Sequence, residues 1–224
     1  MKNPIVIAID GPASSGKGTI AKKLSIELGY VYLDTGAMYR ALTFFCLENN
    51  IEVENEQAVI DAANLAEIDF DINGKTMLNG VDVTQKIRTP EVNALVSAVI
   101  SLYAGVREIM VQKQRIYGEN NNIVVDGRDV GTVIFPSAAV KLFISASLRE
   151  RAMRRAQQNK ENGLPGTFAE NIELLALRDF TDMNRKVSPL RIAENAIVVD
   201  STTMTVEQTL QNVITLVKRK VETI

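Results

Sequence analysis

Histidine is absent from the 224 residues, and cysteine occurs once, as Cys46. The first absence excludes Ser-His and Cys-His nucleophilic catalysis and histidine-ligated metals. The second excludes an internal disulfide and any multi-cysteine zinc site. Cys46 lies in the apolar run Leu42-Thr43-Phe44-Phe45-Cys46-Leu47, where a buried, inert thiol is expected. Neither sign of charge dominates, since 25 basic residues face 27 acidic ones for a net charge of −2. No global field therefore attracts nucleic acid or an anionic membrane, and the basic residues must act by placement. Aromatics make up 5% of the chain, few for an RNA-binding surface that stacks bases. No apolar run approaches the roughly 18 residues of a membrane span. Met1-Lys2-Asn3-Pro4 leads directly into an apolar strand, leaving no room for a signal peptide. The expectation is a cytoplasmic protein that binds neither nucleic acid nor membrane.

What is present is ordinary for a soluble globular protein, at 46% hydrophobic and 23% charged residues. The length fits one domain or a core with insertions. One stretch organises it. Pro4-Ile5-Val6-Ile7-Ala8-Ile9 reads as a buried strand, and Ile20 to Leu28 as a helix with apolar residues at 20, 24 and 28. Between them runs Asp10-Gly11-Pro12-Ala13-Ser14-Ser15-Gly16-Lys17-Gly18-Thr19. Strand, glycine-rich turn and helix form the context of a phosphate-binding loop. Glycines let successive N–H groups turn toward one anion, the helix N-terminus adds partial positive charge, and Lys17 adds a full one. A triphosphate is expected there. Gly18 stands where the common pattern has a metal-binding hydroxyl, and Thr19 follows one residue later. Gly-Lys-Gly-Thr is the form typical of nucleoside monophosphate kinases.

Further along, Tyr30-Val31-Tyr32-Leu33 reads as a second strand, followed by a helix that Asp34 or Thr35 can cap. Glu54 to Glu67 reads as a helix. Asp69 to Val83 alternates apolar and polar residues, broken at Asn73-Gly74 and Asn79-Gly80, which predicts antiparallel hairpins inserted in an α/β protein. Thr84 to Tyr117 holds two helices with a break near Tyr103-Ala104-Gly105. Asn122 to Asp126, Val140 to Ile144 and Ala196 to Asp200 supply three more parallel-type strands. Ser147 starts a basic helix carrying Arg149, Arg151, Arg154 and Arg155, and Glu161-Asn162-Gly163-Leu164-Pro165-Gly166 ends it. Another helix runs from about Thr167 to Asn184. The last opens on the capping-box pattern Thr205-Val206-Glu207-Gln208, with Val206, Leu210, Val213, Ile214, Val217 and Val221 expected inside.

Arginines at 40, 107, 128, 178 and 185 lie near element ends, besides the cluster at 151, 154 and 155. Their planar donor forks suit phosphate oxygens, and moving a phosphoryl group between two anions requires such donors from several directions. A helix arginine also has a plainer reading, solvated or paired with a glutamate. Four segments then recur in a familiar order: Asp34-Thr35-Gly36-Ala37-Met38-Tyr39-Arg40, Lys86-Ile87-Arg88-Thr89, Val125-Asp126-Gly127-Arg128-Asp129-Val130-Gly131-Thr132, and Arg178-Asp179-Phe180-Thr181-Asp182-Met183-Asn184-Arg185. With the Gly-Lys-Gly-Thr loop they make the chain resemble the bacterial cytidylate kinases over nearly its whole length.

The resemblance implies ATP- and Mg²⁺-dependent phosphorylation of CMP or dCMP in pyrimidine nucleotide metabolism; separately, a monomer is expected. It implies an α/β P-loop NTPase fold, with a five-stranded parallel sheet flanked by helices. Added to this are an inserted monophosphate-binding domain with a small antiparallel sheet, and a helical lid. The corresponding boundaries are core at 1–34, 106–150 and 186–224, monophosphate-binding domain at 35–105, and lid with flanking helices at 151–185. Gly11, Pro12, Ala13, Ser14, Ser15, Gly16, Lys17, Gly18 and Thr19 would hold ATP with Arg154. Thr19 would be the protein's contribution to a Mg²⁺ otherwise held by phosphates and water, which Asp10 or Asp126 could order. Thr35, Arg40, Ser97, Arg107, Arg128, Asp129, Asp182 and Arg185 would hold CMP, with Ser97 preferred to Ser101. Lys17, Arg128, Arg178 and Arg185 would act on the transferred group. Asp129 matches the family position that reads the base: a carboxylate accepts from the N4 amino group of cytosine and repels O4 of uracil. For Asp129 alone, an ion pair with Arg128 or a helix cap is the plainer reading. Rival functions are a kinase for another small acceptor, such as UMP, AMP or a metabolite, and a P-loop regulatory ATPase.

Overall fold

A computed structural model of the chain describes residues 4–71 and 74–221. The expected entry from Met1-Lys2-Asn3 and residue Asn73 of the first hairpin turn lie outside the described residues. Over the described residues the chain divides into two compact units, a smaller one within 31–123 and a larger one of 5–30 with 124–221.

All five strands expected of the parallel sheet form: β1 (Val6–Asp10), β2 (Val31–Asp34), β6 (Ile123–Gly127), β7 (Val140–Ser145) and β8 (Ile197–Asp200). Their order is β2-β6-β1-β7-β8, which puts the first strand in the middle. β1 and β7 run parallel with Ile7 opposite Val140 and Asp10 opposite Phe143, and β7 continues to β8 with Ser145 opposite Asp200. Ile7, Ala8 and Ile9 are all buried, and so are Ile123, Val124 and Val125. Continuous apolar runs, rather than alternation, are what a sheet covered on both faces requires.

Around the sheet in the larger unit lie α1 (Lys17–Leu28), α6 (Leu148–Glu161), α7 (Phe168–Asn184) and α8 (Val206–Val221). Their ends are set by local chemistry. Gly29, left-handed at φ 66°, stops α1 by turning its N–H back to Ser25 and Ile26. Ser147 caps α6 by accepting from the Glu150 amide. Thr167 and Glu170 complete a reciprocal capping box on α7. Thr205 and Gln208 do the same for α8.

The smaller unit contains α2 (Thr35–Glu48), α3 (Glu56–Leu65), α4 (Pro90–Ala98) and α5 (Ala104–Asn120). The break expected near Tyr103 separates a short 3₁₀ turn, Ile100–Leu102, from α5. The expected meander is a three-stranded antiparallel sheet of β3 (Ile68–Phe70), β4 (Thr76–Leu78) and β5 (Val81–Asp82). Cys46 is fully buried, and burial pushes its thiol up to about 11.

One packing expectation is corrected. Val206 is 41% exposed, Leu210 and Val221 are half-buried, and the buried stripe of α8 begins one turn after Val206 with Thr209, Val213, Ile214 and Val217. The surfaces that α8 covers therefore start at its second turn, leaving the first turn's valine in solvent. Val213→Ala should lower unfolding free energy by about 1–3 kcal/mol and Val206→Ala by less than about 0.5, measured by denaturant titration.

Candidate active site

The turn after β1 has the shape expected of a phosphate loop, for steric reasons that can be named. Gly11 has φ 155°, and a Cβ there would lie 2.1 Å from the Ile144 carbonyl oxygen. Only glycine fits. Gly16 is left-handed at φ 87° and caps α1 without any side-chain bond, and no acidic residue occupies the first turn of that helix. The N-terminal amides of α1 thus have no carboxylate of their own turn in front of them, which is the arrangement an anion needs.

Lys17 is the first residue of α1, only 7% exposed, and its Nζ donates to the Pro12 carbonyl at 3.1 Å. Burial, reinforced by the nearby Arg128, pushes its ammonium down to about 7, with Asp126 working against the shift. Arg178 adds to the repulsion and Asp182 relieves it. These groups come from α1, β6 with its following turn, and α7, so the larger unit assembles one dense charged cluster.

The cluster has a definite wiring. Arg128 donates through Nε to Asp182 Oδ2 at 2.8 Å. Arg185 lies 3.8 Å from Asp182 Oδ1 and 3.5 Å from Asp129 Oδ1, and its Nε donates to the Ser188 carbonyl at 2.6 Å. Burial raises the pKa of Asp182, but Arg128 and then Arg178 outweigh it, so the carboxyl is held below its ordinary value. Arg128 and Asp129, adjacent in sequence, thus form salt bridges with different partners, Asp182 on α7 and Arg185 at its C-cap.

The basic helix α6 addresses the loop itself. Arg151 donates to the Ala13 carbonyl at 3.1 Å, Arg155 to Ser14 Oγ at 3.2 Å, and Arg154 to the Ser15 carbonyl at 3.4 Å. Arg154 also donates to Ser201, at 2.7 Å to its carbonyl and 3.1 Å to its hydroxyl, and pairs with Glu150 at 2.9 Å. Arg151 is buried, donates to the Ala146 carbonyl at 2.9 Å and pairs with Asp179 at 2.7 Å. Three arginines therefore hold three consecutive loop residues. The sequence showed the cluster but not these targets; its spacing of i, i+3 and i+4 on one helical face was the available signal.

Asp10 lies at the end of β1, next to the loop. Its two carboxylate oxygens accept the backbone amides of Val130 and Gly131. Asp126 is buried at the end of β6 and contributes to the Lys17 field. Thr19 is exposed on α1.

The smaller unit collects a second set. Asp34 caps α2 by accepting the Ala37 amide at 2.8 Å, and pairs with Arg40 at 3.0 Å and Arg88 at 3.3 Å. Arg107 is buried on α5, 5.5 Å above the Tyr39 ring, and donates to the Ser101 carbonyl at 3.4 Å. Thr35 is buried at the start of α2, and Ser97 is half-buried in the last turn of α4. Asp34, Arg88 and Tyr39 were not among the expected site residues. They stand inside the quoted segments, but nothing local marked them as partners of Arg40 and Arg107.

A phosphate loop at the end of the central strand of a parallel sheet, with a lysine and converging arginines, defines a P-loop nucleotide-binding protein. Comparisons with known proteins narrow this. The family model described as cytidylate kinase matches residues 7–219. A cytidylate kinase of Caldanaerobacter subterraneus is 45% identical over 96% of this chain and 95% of its own length. One from Anoxybacillus flavithermus is 42% identical over 99% of this chain and 100% of its own. The structure of an uncharacterized protein from Eubacterium ventriosum is similar in fold, with TM-score 0.52 and 11% identity over 96% of this chain and 98% of that one. The chain belongs to the cytidylate kinase family.

Phosphates arriving at Lys17 favour its charged form, so binding at a pH above about 7 should draw a proton onto it. At pH 8, binding of ADP should take up most of one proton, and affinity should weaken as pH rises through 7. Calorimetry in two buffers of different ionisation enthalpy measures this, and no net uptake would contradict the buried, depressed lysine.

Proposed function

We propose that the chain transfers the γ-phosphoryl group of ATP to CMP or dCMP, releasing ADP and CDP or dCDP. Membership of the cytidylate kinase family supports the activity. The observation that carries the assignment of residues is the Asp182 clamp, which holds Arg128 and Arg185 in the same charged cluster as Lys17. In this reading the loop 11–19 and Arg154 bind the donor. Thr35, Arg40, Ser97, Arg107, Arg128, Asp129, Asp182 and Arg185 bind the acceptor.

The acceptor phosphate is anionic at neutral pH, so no general base is required, in keeping with a chain that has no histidine. Transfer in line rests on positioning and on neutralising the charge of the moving group by Lys17, Arg128, Arg178 and Arg185. Asp129 accepts from the cytosine amino group, and the carboxylates that hold the arginines offset the repulsion between them. Residues 35–105 serve as the monophosphate-binding domain, and 151–185 as a lid that excludes water, the competing acceptor.

The family implies Mg²⁺ with ATP. Among the described residues no group of three or more acidic, histidine or cysteine side chains forms a metal cage, and Gly18 has no hydroxyl to offer. That donor set fits an ion held by nucleotide phosphates and water, with Thr19 as the protein ligand. Mg²⁺ would neutralise phosphate charge there. We also propose that the protein is a cytoplasmic monomer, and sedimentation velocity tests the monomer.

An acceptor panel of CMP, dCMP, UMP and AMP with ATP, read by ADP release, should show CMP or dCMP preferred. Preference for UMP or AMP would assign another monophosphate kinase, and ATP hydrolysis indifferent to any acceptor would indicate a regulatory ATPase. Arg128→Ala should lower kcat/KM for CMP by about 10³-fold or more, and a loss under about tenfold would remove its role. Asp129→Ala should reduce CMP use more than UMP use, and equal losses would show that it does not read the base.

A further inference from the structure

We infer that Asp10 is a positioning residue for nucleobase selection, fixing the turn that carries Asp129 relative to the phosphate loop. The inference rests on the reading of Asp129 as the base-recognising carboxylate. Asp10 is the last residue of β1, immediately before Gly11, and is 2% exposed. Its Oδ1 accepts the Val130 amide at 2.8 Å and its Oδ2 accepts the Gly131 amide at 2.8 Å. Two successive peptide groups are thereby aimed at one carboxylate, and the first of them is the peptide that follows Asp129. On its other side the Asp129 carbonyl accepts the amides of Val133 at 2.9 Å and Ile134 at 3.1 Å, closing a single π-helical turn over Val130–Ile134. The backbone around Asp129 is therefore held from two directions, while its carboxylate faces Arg185 at 3.5 Å.

Packing tightens the arrangement. A Cβ at Gly131 would lie 3.2 Å from the Ala193 Cβ and 3.4 Å from Asp10 Oδ2, so the turn sits close against the carboxylate. The choice of residue is informative in itself. Burial raises the Asp10 pKa to about 6, with the Gly131 and Val130 bonds opposing the rise, which leaves the group ionised at neutral pH. An ionised carboxylate inside a protein is a poor stabiliser beside an apolar residue of similar size. What it supplies that an apolar residue cannot is orientation of two adjacent amides by two acceptors. Displacement of a reacting or recognising group by about 1 Å costs on the order of 10²-fold in rate, so that orientation has a functional scale.

Asp10→Asn keeps the shape but sets an NH₂ donor against one of the two amides. The ratio of kcat/KM for CMP to that for UMP should fall about tenfold, through a raised KM for CMP, while KM for ATP changes by less than about threefold. A purely structural role would lower the melting temperature and leave the CMP to UMP ratio where it was. Asp129→Ala is measured in parallel. If Asp129→Ala abolishes discrimination and folded Asp10→Asn preserves it within about twofold, the positioning role is overturned alone. If Asp129→Ala leaves discrimination intact, the reading of Asp129 fails and the inference with it. Should Asp10→Asn not fold, the wild-type chain supplies the test: at saturation the Val130 and Gly131 amide resonances should differ between CMP and UMP complexes. Identical shifts would overturn the proposal.

Discussion

Everything in the larger unit depends on keeping like charges together in a place that excludes water. Lys17 and the guanidinium groups of Arg128 and Arg178 raise one another's energy, and the Lys17 pKa is depressed by burial first and by that repulsion second. At an effective dielectric of about 20, two unit charges 4 Å apart interact by roughly 4 kcal/mol. Carboxylates make the concentration tolerable. Asp182 takes Arg128 and approaches Arg185, and Asp126 moderates the field at Lys17. The cations are thus held against internal anions, which fixes the directions in which their guanidinium groups point. In the proposed reading this preorganisation is what stabilises the moving phosphoryl group.

The second dependence is mechanical. A loop built on Gly11 and Gly16 has the dihedral freedom to point amides inward, and the same freedom would let it collapse. α6 prevents this by holding Ala13, Ser14 and Ser15 through Arg151, Arg155 and Arg154. Arg151 extends the connection to Asp179 on α7, next to Arg178 in the chain. Loop, basic helix α6 and helix α7 therefore form one linked structure within the unit. Arginines that a composition count would assign to the substrate are in part structural ties, and Arg151 is the plainest case.

Much of the fold was legible because its determinants are local. Each of the five strands, the hairpin sheet, the break at Tyr103 and the capping box at Thr205 follows from runs or pairs within a few residues. The loop was legible for the same reason. Val206 was misjudged because helical spacing tells which residues share a face, not where along the helix the neighbouring surface begins. The partners Asp34 for Arg40 and Arg88, and Asp179 for Arg151, were not legible, since no short-range pattern distinguishes a carboxylate that will be paired from one left in water.

The sequence by itself determined the dihedral requirements at Gly11 and Gly16, the burial of β1 and β6 on both faces, and the supply of cations without an acid-base histidine. These are properties of single residues and their near neighbours. Only the tertiary structure decided that β1 lies in the middle of the sheet, that Arg128 pairs across 54 positions with Asp182, and that Asp10 reaches 120 positions to the Val130 amide. It also decided that Lys17 is depressed while Asp182 is kept ionised. Coulomb energy and desolvation depend on distance and solvent exclusion in three dimensions, and neither quantity exists until the chain has closed on itself.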